Sequence, residues 1–335
     1  MGNRDVLLDV KNVSKTFAQR TGLFGGFGTP NGRVHAVDGV SFRVHTGETF
    51  GLVGESGCGK STLSRALLRL IPIDCGEIVF EGKRLHEMEG EALRRQRREM
   101  RMVFQKPFAS LNPRQTVREI IAAPMEVHEP CRGRAERGQR DKEVLRLMDV
   151  VGLPAAYADR HPHEFSGGQR QRIGIARAIA GSPKLIVCDE PVSALDVSIQ
   201  AQVLNLLKEL QKERRLTYLF ISHNLSVVRH MSDRIAVMYL GSIVEIADAK
   251  TLYENAKHPY TRALLSAIPD RTTEQTERII LTGDIPSPVN PPPGCRFSTR
   301  CWLATARCGA ERPPLRELGG GHSVACFLHE RGAAE

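Results

Sequence analysis

Apolar residues along this chain fall into short runs and periodic faces rather than one long block. Phe50 to Val53 is a compact run that reads as a buried strand; a Gly-rich turn follows, then a segment, Ser61 to Leu70, that predicts a helix. Residues 89–160 are polar with helical spacing and offer no strand after Val103. Strand patterns return from Lys184 onward, at Leu185 to Cys188, Thr217 to Ile221, Ile235 to Tyr239 and Ile243 to Ile246. Between them lies an amphipathic helix, Ile199 to Glu213, with Val203, Leu206, Leu207 and Leu210 on one face. Strands alternating with helices predict an α/β fold around a mostly parallel sheet covered on both sides, with the helical middle as an inserted subdomain. Residues 1–45 predict short strands broken by a Gly-rich excursion, Thr21 to Arg33. Beyond about residue 270, prolines accumulate (Pro286, Pro288, Pro291, Pro292, Pro293), which predicts an extended tail rather than core. There is no internal repeat.

Composition changes this picture little. With 41% hydrophobic and 25% charged residues the chain can bury a sizeable core. The apolar runs are far shorter than the roughly 20 residues a lipid-crossing helix needs. Met1 to Val10 carries charges and no secretory apolar region, so a cytosolic protein is expected. The net charge of +9, from 47 Lys plus Arg against 38 Asp plus Glu, admits nucleic acid, an anionic membrane surface or a nucleotide as partner. Its densest patch, Arg94, Arg95, Arg97, Arg98 and Arg101, reads as a solvated helix face near lipid headgroups rather than a nucleic-acid reader.

Three stretches carry chemistry. Gly54-Glu55-Ser56-Gly57-Cys58-Gly59-Lys60-Ser61 has the spacing G-x-x-x-x-G-K-[ST], after a strand and before a helix. Gly54, Gly57 and Gly59 let backbone amides fold tightly around phosphate oxygens at a helix N-terminus, with Thr62 completing the start of that helix. Lys60 is placed to reach the β- and γ-phosphates, and the Ser61 hydroxyl to coordinate Mg²⁺. Leu185 to Glu190 is an apolar strand ending in two carboxylates: Asp189 suits Mg²⁺, and Glu190 suits a general base for the attacking water. Phe165-Ser166-Gly167-Gly168-Gln169 opens a helix rich in small residues, where a second N-terminus can meet phosphate.

This ordered set, completed by Ser222-His223, resembles the ABC ATPase family from residue 5 to about 250. The resemblance implies a P-loop α/β core with an antiparallel β subdomain and a helical subdomain at about 90–180. It also implies a Mg-dependent ATPase in which two such domains sandwich two ATPs, each between one P-loop and the other's Ser166-Gly167-Gly168-Gln169. By position, Gln105 resembles the glutamine that contacts Mg²⁺ and senses a transmembrane partner. His223 resembles the switch histidine at the γ-phosphate. Ser193-Ala194-Leu195-Asp196 resembles the D-loop, and Phe17 matches the aromatic residue that stacks on adenine. Phe17 and Phe165 depart from the family's usual Tyr and Leu without loss of ring or apolar character.

Phe108 to Arg114, His258-Pro259-Tyr260-Thr261 and Pro286 to Cys295 narrow the resemblance to the oligopeptide/dipeptide importer ATPases, nearest the F-type subunit. That branch implies a nucleotide-binding domain over 1–255 and a C-terminal extension over 256–335. The expected partners are two permeases, a second ATPase subunit (a D-type paralogue or a second copy) and an extracytoplasmic solute-binding protein. The expected place is peripheral, on the cytoplasmic face of the membrane. Peptide is the expected cargo, with nickel, opines or sugars as alternatives within the branch.

Of eight cysteines, Cys295, Cys301, Cys308 and Cys326 lie in the extension, with five, six and seventeen residues between successive ones. Four thiolates suit zinc or an iron–sulfur cluster, and the spacing alone decides for neither. The resemblance implies a 4Fe–4S cluster. Other ABC proteins fit less well. The phosphonate-degradation accessory subunits lack such a tail, the ribosome-splitting iron–sulfur protein needs two P-loops, and DNA-repair members need a longer insertion. A binding module without turnover would have lost Glu190 or its companions.

Overall fold

The structure, a computed structural model, describes residues 5–18, 32–105, 110–131, 133–268 and 278–330. Most of the Gly-rich excursion, together with Phe108 and Ala109, lies outside the described residues. In chain order the strands are β1 (Val6–Ala18), β2 (Arg33–His45), β3 (Thr49–Val53), β4 (Cys75–Phe80), β5 (Lys83–Arg84) and β6 (Met100–Val103). They continue with β7 (Leu185–Asp189), β8 (Thr217–Ile221), β9 (Arg234–Tyr239), β10 (Ser242–Asp248), β11 (Arg316–Gly319) and β12 (His322–Val324). The helices that matter below are α1 (Lys60–Leu67), α2 (Val117–His128), α3 (Arg134–Val150), α4 (Gly167–Ile179), α5 (Val197–Arg214) and α6 (Pro259–Ser266).

The chain divides into two compact units. One is built chiefly from Glu87–Ile221, with His45–Thr49. In it β6, β7 and β8 run parallel, with Met100 opposite Leu185 and Leu185 opposite Thr217. Every residue of β7 and β8 is buried, which is why both read as unbroken apolar runs rather than alternating ones. Helices α2, α3 and α4 pack on one another, and α5 packs on α4. The apolar face Val203, Leu206, Leu207 and Leu210 of α5 is buried. Thr116 caps α2: its hydroxyl accepts the Glu119 amide hydrogen while the Glu119 carboxylate accepts that of Thr116, so two helix-end donors are satisfied at once.

The other unit comprises Val6–Val44, Phe50–His86 and Ser222–Glu335. Its first sheet has the order β2-β1-β4-β5, with β1 antiparallel to β4 so that Leu8 faces Phe80 and Val10 faces Ile78. All four of those side chains are buried. Where short strands are expected in residues 1–45, β1 and β2 each run 13 residues, because alternate positions (Leu8 and Val10, then Val13 beyond a shift in register; Val40, Phe42 and Val44) reach core. In the second sheet of this unit β3 is parallel to β9, and β9, β10, β12 and β11 follow as antiparallel neighbours.

The C-terminal stretch differs from the extended tail that its prolines predict. Beyond Pro293 it turns inward: Phe297 is fully buried, with its ring centroid 5.3 Å from that of Tyr239 and 5.4 Å from that of Tyr260. Its hairpin β11–β12 lengthens the sheet at β10, where Glu245 faces Val324. Arg296 and Arg312 both ion-pair with Asp38 and hold its carboxyl below the usual aspartate range, against the upward pull of burial. Glu245, wholly buried, accepts hydrogen bonds from His322 Nε2 (2.7 Å) and from the Lys257 and His258 amides (2.6 and 3.0 Å). Prolines exclude a ladder at 286–293 but say nothing of the aromatic and charged anchors that follow.

Candidate ATP site and cysteine pocket

The P-loop links β3 to α1 in the second unit. Lys60 is buried, and its Nζ donates to the carbonyl oxygens of Gly54 (2.7 Å) and Glu55 (2.9 Å), so the ammonium sits inside the arch of the loop. The Glu55 amide donates to the Tyr260 hydroxyl (3.0 Å), and the Gly241 amide donates to the Cys58 carbonyl (2.9 Å). Gly59 has φ 107°, and a Cβ there would penetrate the carbonyl oxygen of Ala36. At Gly54 a Cβ would penetrate that of Met238. Both positions demand glycine for conformation and for close approach. Ser56 and Gly57 are exposed, and Ser61 and Thr62 are half-buried in the first turn of α1. Cys58 is buried; its thiol is pushed up chiefly by that burial, so it fills space rather than reacting. In the same unit Phe17 stands exposed near the end of β1, with the Lys15 ammonium 5.6 Å from its ring centroid. His223 is exposed just before Asn224, whose amide donates to Ser222 Oγ (3.0 Å).

Gln105, Ser166, Asp189, Glu190 and Asp196 belong to the first unit. Here two expected residues meet directly: Gln105 Nε2 donates to Glu190 Oε2 at 2.6 Å. They come from the C-terminal ends of β6 and β7, neighbouring parallel strands, the edge where open α/β sheets place ligands. Glu190 has φ 47°, a left-handed conformation that costs a non-glycine residue about 1 kcal/mol or more, and its amide is pinned to the Ile221 carbonyl (2.9 Å). The preceding Asp189 is buried.

Ser166 caps α4: its hydroxyl accepts the Gln169 amide hydrogen (3.3 Å), while Gln169 Oε1 accepts the Ser166 amide hydrogen (3.0 Å). The segment is therefore an ordinary capping box whose Ser166 and Gly167 face solvent, anchored by buried Phe165 with its ring edge-on to Tyr157. Gly168 is buried against Ile199, where a side chain would clash. Asp196 stands exposed at the N-cap position of α5 without a side-chain cap bond.

Cys295, Cys301, Cys308 and Cys326 line one pocket with His258, Phe297 and Phe327. All four are free and half-buried. Cys295, Cys301 and Cys326 have their thiols pushed up, Cys326 to about 11, first by burial and then by the neighbouring sulfurs. His258, at the pocket wall, is lowered to about 4 by burial and serves as a neutral acceptor for the Tyr260 amide at the start of α6. Among the described residues no three His, Cys, Asp or Glu side chains are arranged to hold a single metal ion.

Sequence reasoning misses Arg300, whose guanidinium reaches the P-loop residue Glu55 at 3.0 Å. It also misses the part played by Tyr260 as the Glu55 partner. Both contacts span more than 200 positions of chain, and no local pattern announces such a pairing.

A family model described as ABC transporter matches residues 37–193, and one described as oligopeptide/dipeptide transporter, C-terminal region, matches 244–308. The chain is 52% identical over 331 residues to the oligopeptide transport ATP-binding protein AppF of Bacillus subtilis (strain 168), covering 98% of each. This chain belongs to the ATP-binding-protein family of oligopeptide ABC transporters. A further member, the oligopeptide transport ATP-binding protein OppF of Escherichia coli (strain K12), is 50% identical over 97% of this chain and 96% of its own length. The chain is similar in fold to the solved dimeric structure of MJ0796, a bacterial ABC transporter cassette, with a TM-score of 0.63 at 28% identity, covering 72% of this chain and 99% of that one. Among the described residues no helix of this family member is long and apolar enough to cross a membrane.

Proposed function

We propose that this chain hydrolyses ATP with Mg²⁺ and drives peptide import through two partner permeases, as one of a pair of ATPase subunits. The observation that carries the reading is the Gln105–Glu190 hydrogen bond at the ends of β6 and β7, in a chain whose P-loop wraps a buried Lys60. Lys60 and the P-loop amides bind the triphosphate, and Phe17 stacks on the base. Ser61 and Asp189 serve Mg²⁺, together with Gln105. Glu190 takes the proton of the attacking water, and His223 contacts the γ-phosphate. The exposed Ser166 and Gly167, with Gly168, Gln169 and Asp196, serve the nucleotide held by the other subunit, a second copy or a related chain. Closure on two ATPs and reopening after hydrolysis would move the permeases between inward and outward access. A solute-binding protein outside the membrane would deliver the peptide. The ATPase itself would sit at the cytoplasmic face.

The experiment is uptake of a labelled oligopeptide into vesicles carrying both permeases, the binding protein and this chain. Uptake should require ATP with Mg²⁺ and stop with a non-hydrolysable analogue; uptake of nickel or a sugar, with none of peptide, would reassign the cargo.

The donor set of the cysteine pocket, four soft thiols with no carboxylate among them, suits an iron–sulfur group. Cys295, Cys301, Cys308 and Cys326 would hold a 4Fe–4S cluster. When bound, it would supply a four-point cross-link of the extension, since transport consumes no electron. Anaerobically purified protein should be brown and contain iron and acid-labile sulfide in equal amounts; colourless protein with stoichiometric zinc would overturn the assignment.

A further inference from the structure

We propose that Arg300 is a positioning residue for the P-loop, so that the C-terminal extension sets the affinity of the nucleotide site. The proposal deepens the ATPase reading and rests on it. Glu55 is held at four points, one of them the Cys58 amide on its carbonyl at 3.3 Å. Its carboxylate takes Arg300 Nη1 at 3.0 Å, its amide donates to the Tyr260 hydroxyl at 3.0 Å, and its carbonyl accepts Lys60 Nζ at 2.9 Å. Two of these four anchors come from beyond residue 255. A third is the ammonium that meets phosphate.

The chain of contacts has a mechanical consequence. Lys60 shares its ammonium between the Gly54 and Glu55 carbonyls. A Glu55 released from Arg300 keeps its amide bond to Tyr260 and the Cys58 amide on its carbonyl but loses its side-chain anchor, so the hold on one of those two acceptors loosens. The ammonium is then less firmly aimed before the triphosphate arrives. Holding it fixed in advance spares the ordering that binding would otherwise require.

Arg300 is well placed for this task. Its side chain is only 8% exposed and that of Glu55 24%, so the pair is shielded from the screening that weakens surface ion pairs. Nη1 also lies 3.4 Å from the Tyr239 hydroxyl, and the guanidinium lies over the Tyr239 ring at 6.0 Å. The Tyr239 ring in turn packs against Tyr260 at 4.6 Å and Phe297 at 5.3 Å. Arg300 ends a tight turn, its amide bonded to the Phe297 carbonyl (3.0 Å), between two cysteines of the pocket. The guanidinium therefore has a rigid base on one side and the P-loop on the other.

The test uses the full-length protein, titrated with a fluorescent, slowly hydrolysed ATP analogue and Mg²⁺, with KM and kcat for ATP measured alongside. Arg300→Ala should raise the analogue Kd and the ATP KM about fivefold to tenfold, with kcat at saturating ATP within twofold of the parent. Arg300→Lys should recover part of the affinity. Glu55→Gln should weaken binding as Arg300→Ala does, and the double variant should be no weaker than either single one, because both remove the same pair. A substitution that merely unfolds part of the protein lowers the active fraction, hence kcat, and leaves Kd in place. If Arg300→Ala fails to fold, Arg300→Lys and Glu55→Gln carry the test. A parent chain that binds no nucleotide would overturn the ATPase reading itself. A parent that binds, with variants matching it or with effects that add, would overturn the role of Arg300 alone.

Discussion

Glu190→Gln is expected to bind ATP as tightly as the parent chain and to hydrolyse it about 100-fold or more slowly, the scale on which a positioned general base contributes. The expectation rests on how the side chain is held. Glu190 follows the last residue of β7 in a left-handed conformation, with its amide fixed to the Ile221 carbonyl. Its Oε2 accepts the Gln105 amide hydrogen at 2.6 Å. Glutamine has the same shape and keeps a carbonyl oxygen for Gln105, so the substitution preserves the fold of this edge. What it removes is the capacity to accept a proton from water. On the proposed assignment of affinity to Lys60 and the P-loop, binding should therefore be unchanged while the chemical step fails. Nucleotide titration and single-turnover hydrolysis separate the two quantities. Hydrolysis within tenfold of the parent rate would move the base elsewhere.

How far such residues can be read from one sequence depends on how local their chemistry is. The P-loop is legible because phosphate binding fixes eight consecutive positions, and the strand ending in Asp189 and Glu190 because a buried parallel strand must be apolar until it surfaces. The meeting of Gln105 with Glu190 follows once β6 and β7 are known to be neighbours, which only the family resemblance supplies. The extension is the least legible segment. Its prolines correctly forbid a strand at 286–293, yet Phe297 beyond them enters the core, and the β11–β12 hairpin joins a sheet whose partner strand lies about 80 residues earlier. Pairings such as Arg312 with Asp38, or Arg300 with Glu55, join positions separated by 274 and 245 residues. Charge and spacing in one chain carry no trace of such pairings. Ser166 shows the converse: its capping box with Gln169 would serve any helix, so structure alone gives it no special role, and its exposed position gains meaning only from a second subunit.

Gly59→Ala is expected to abolish detectable nucleotide binding and to cost on the order of 3 kcal/mol of stability, combining left-handed strain with a clash in a packed site. The backbone at Gly59 has φ 107°, which side-chain-bearing residues rarely adopt, and the new methyl would penetrate the Ala36 carbonyl oxygen and lie 2.9 Å from Met238 Cε. The methionine tip can swing away. The carbonyl cannot, because β2 is fastened on both sides of it, His35 through its amide to the Pro288 carbonyl (2.8 Å) and Asp38 through its amide to that of Gly241 (2.8 Å). The strain must therefore be relieved on the P-loop side, by rotating the peptide units at the start of α1 whose amides are to face phosphate. Gly57→Ala makes the control: φ there is also positive, at 81°, but a Cβ would meet nothing within 4 Å. It should lose only the backbone strain, about 1 kcal/mol of stability. Thermal melting and nucleotide titration of the two variants side by side decide the matter. If Gly59→Ala melts with the parent and still binds ATP, then β2 yields where its hydrogen bonds say it should not, and the close approach of loop and strand is not what shapes the site.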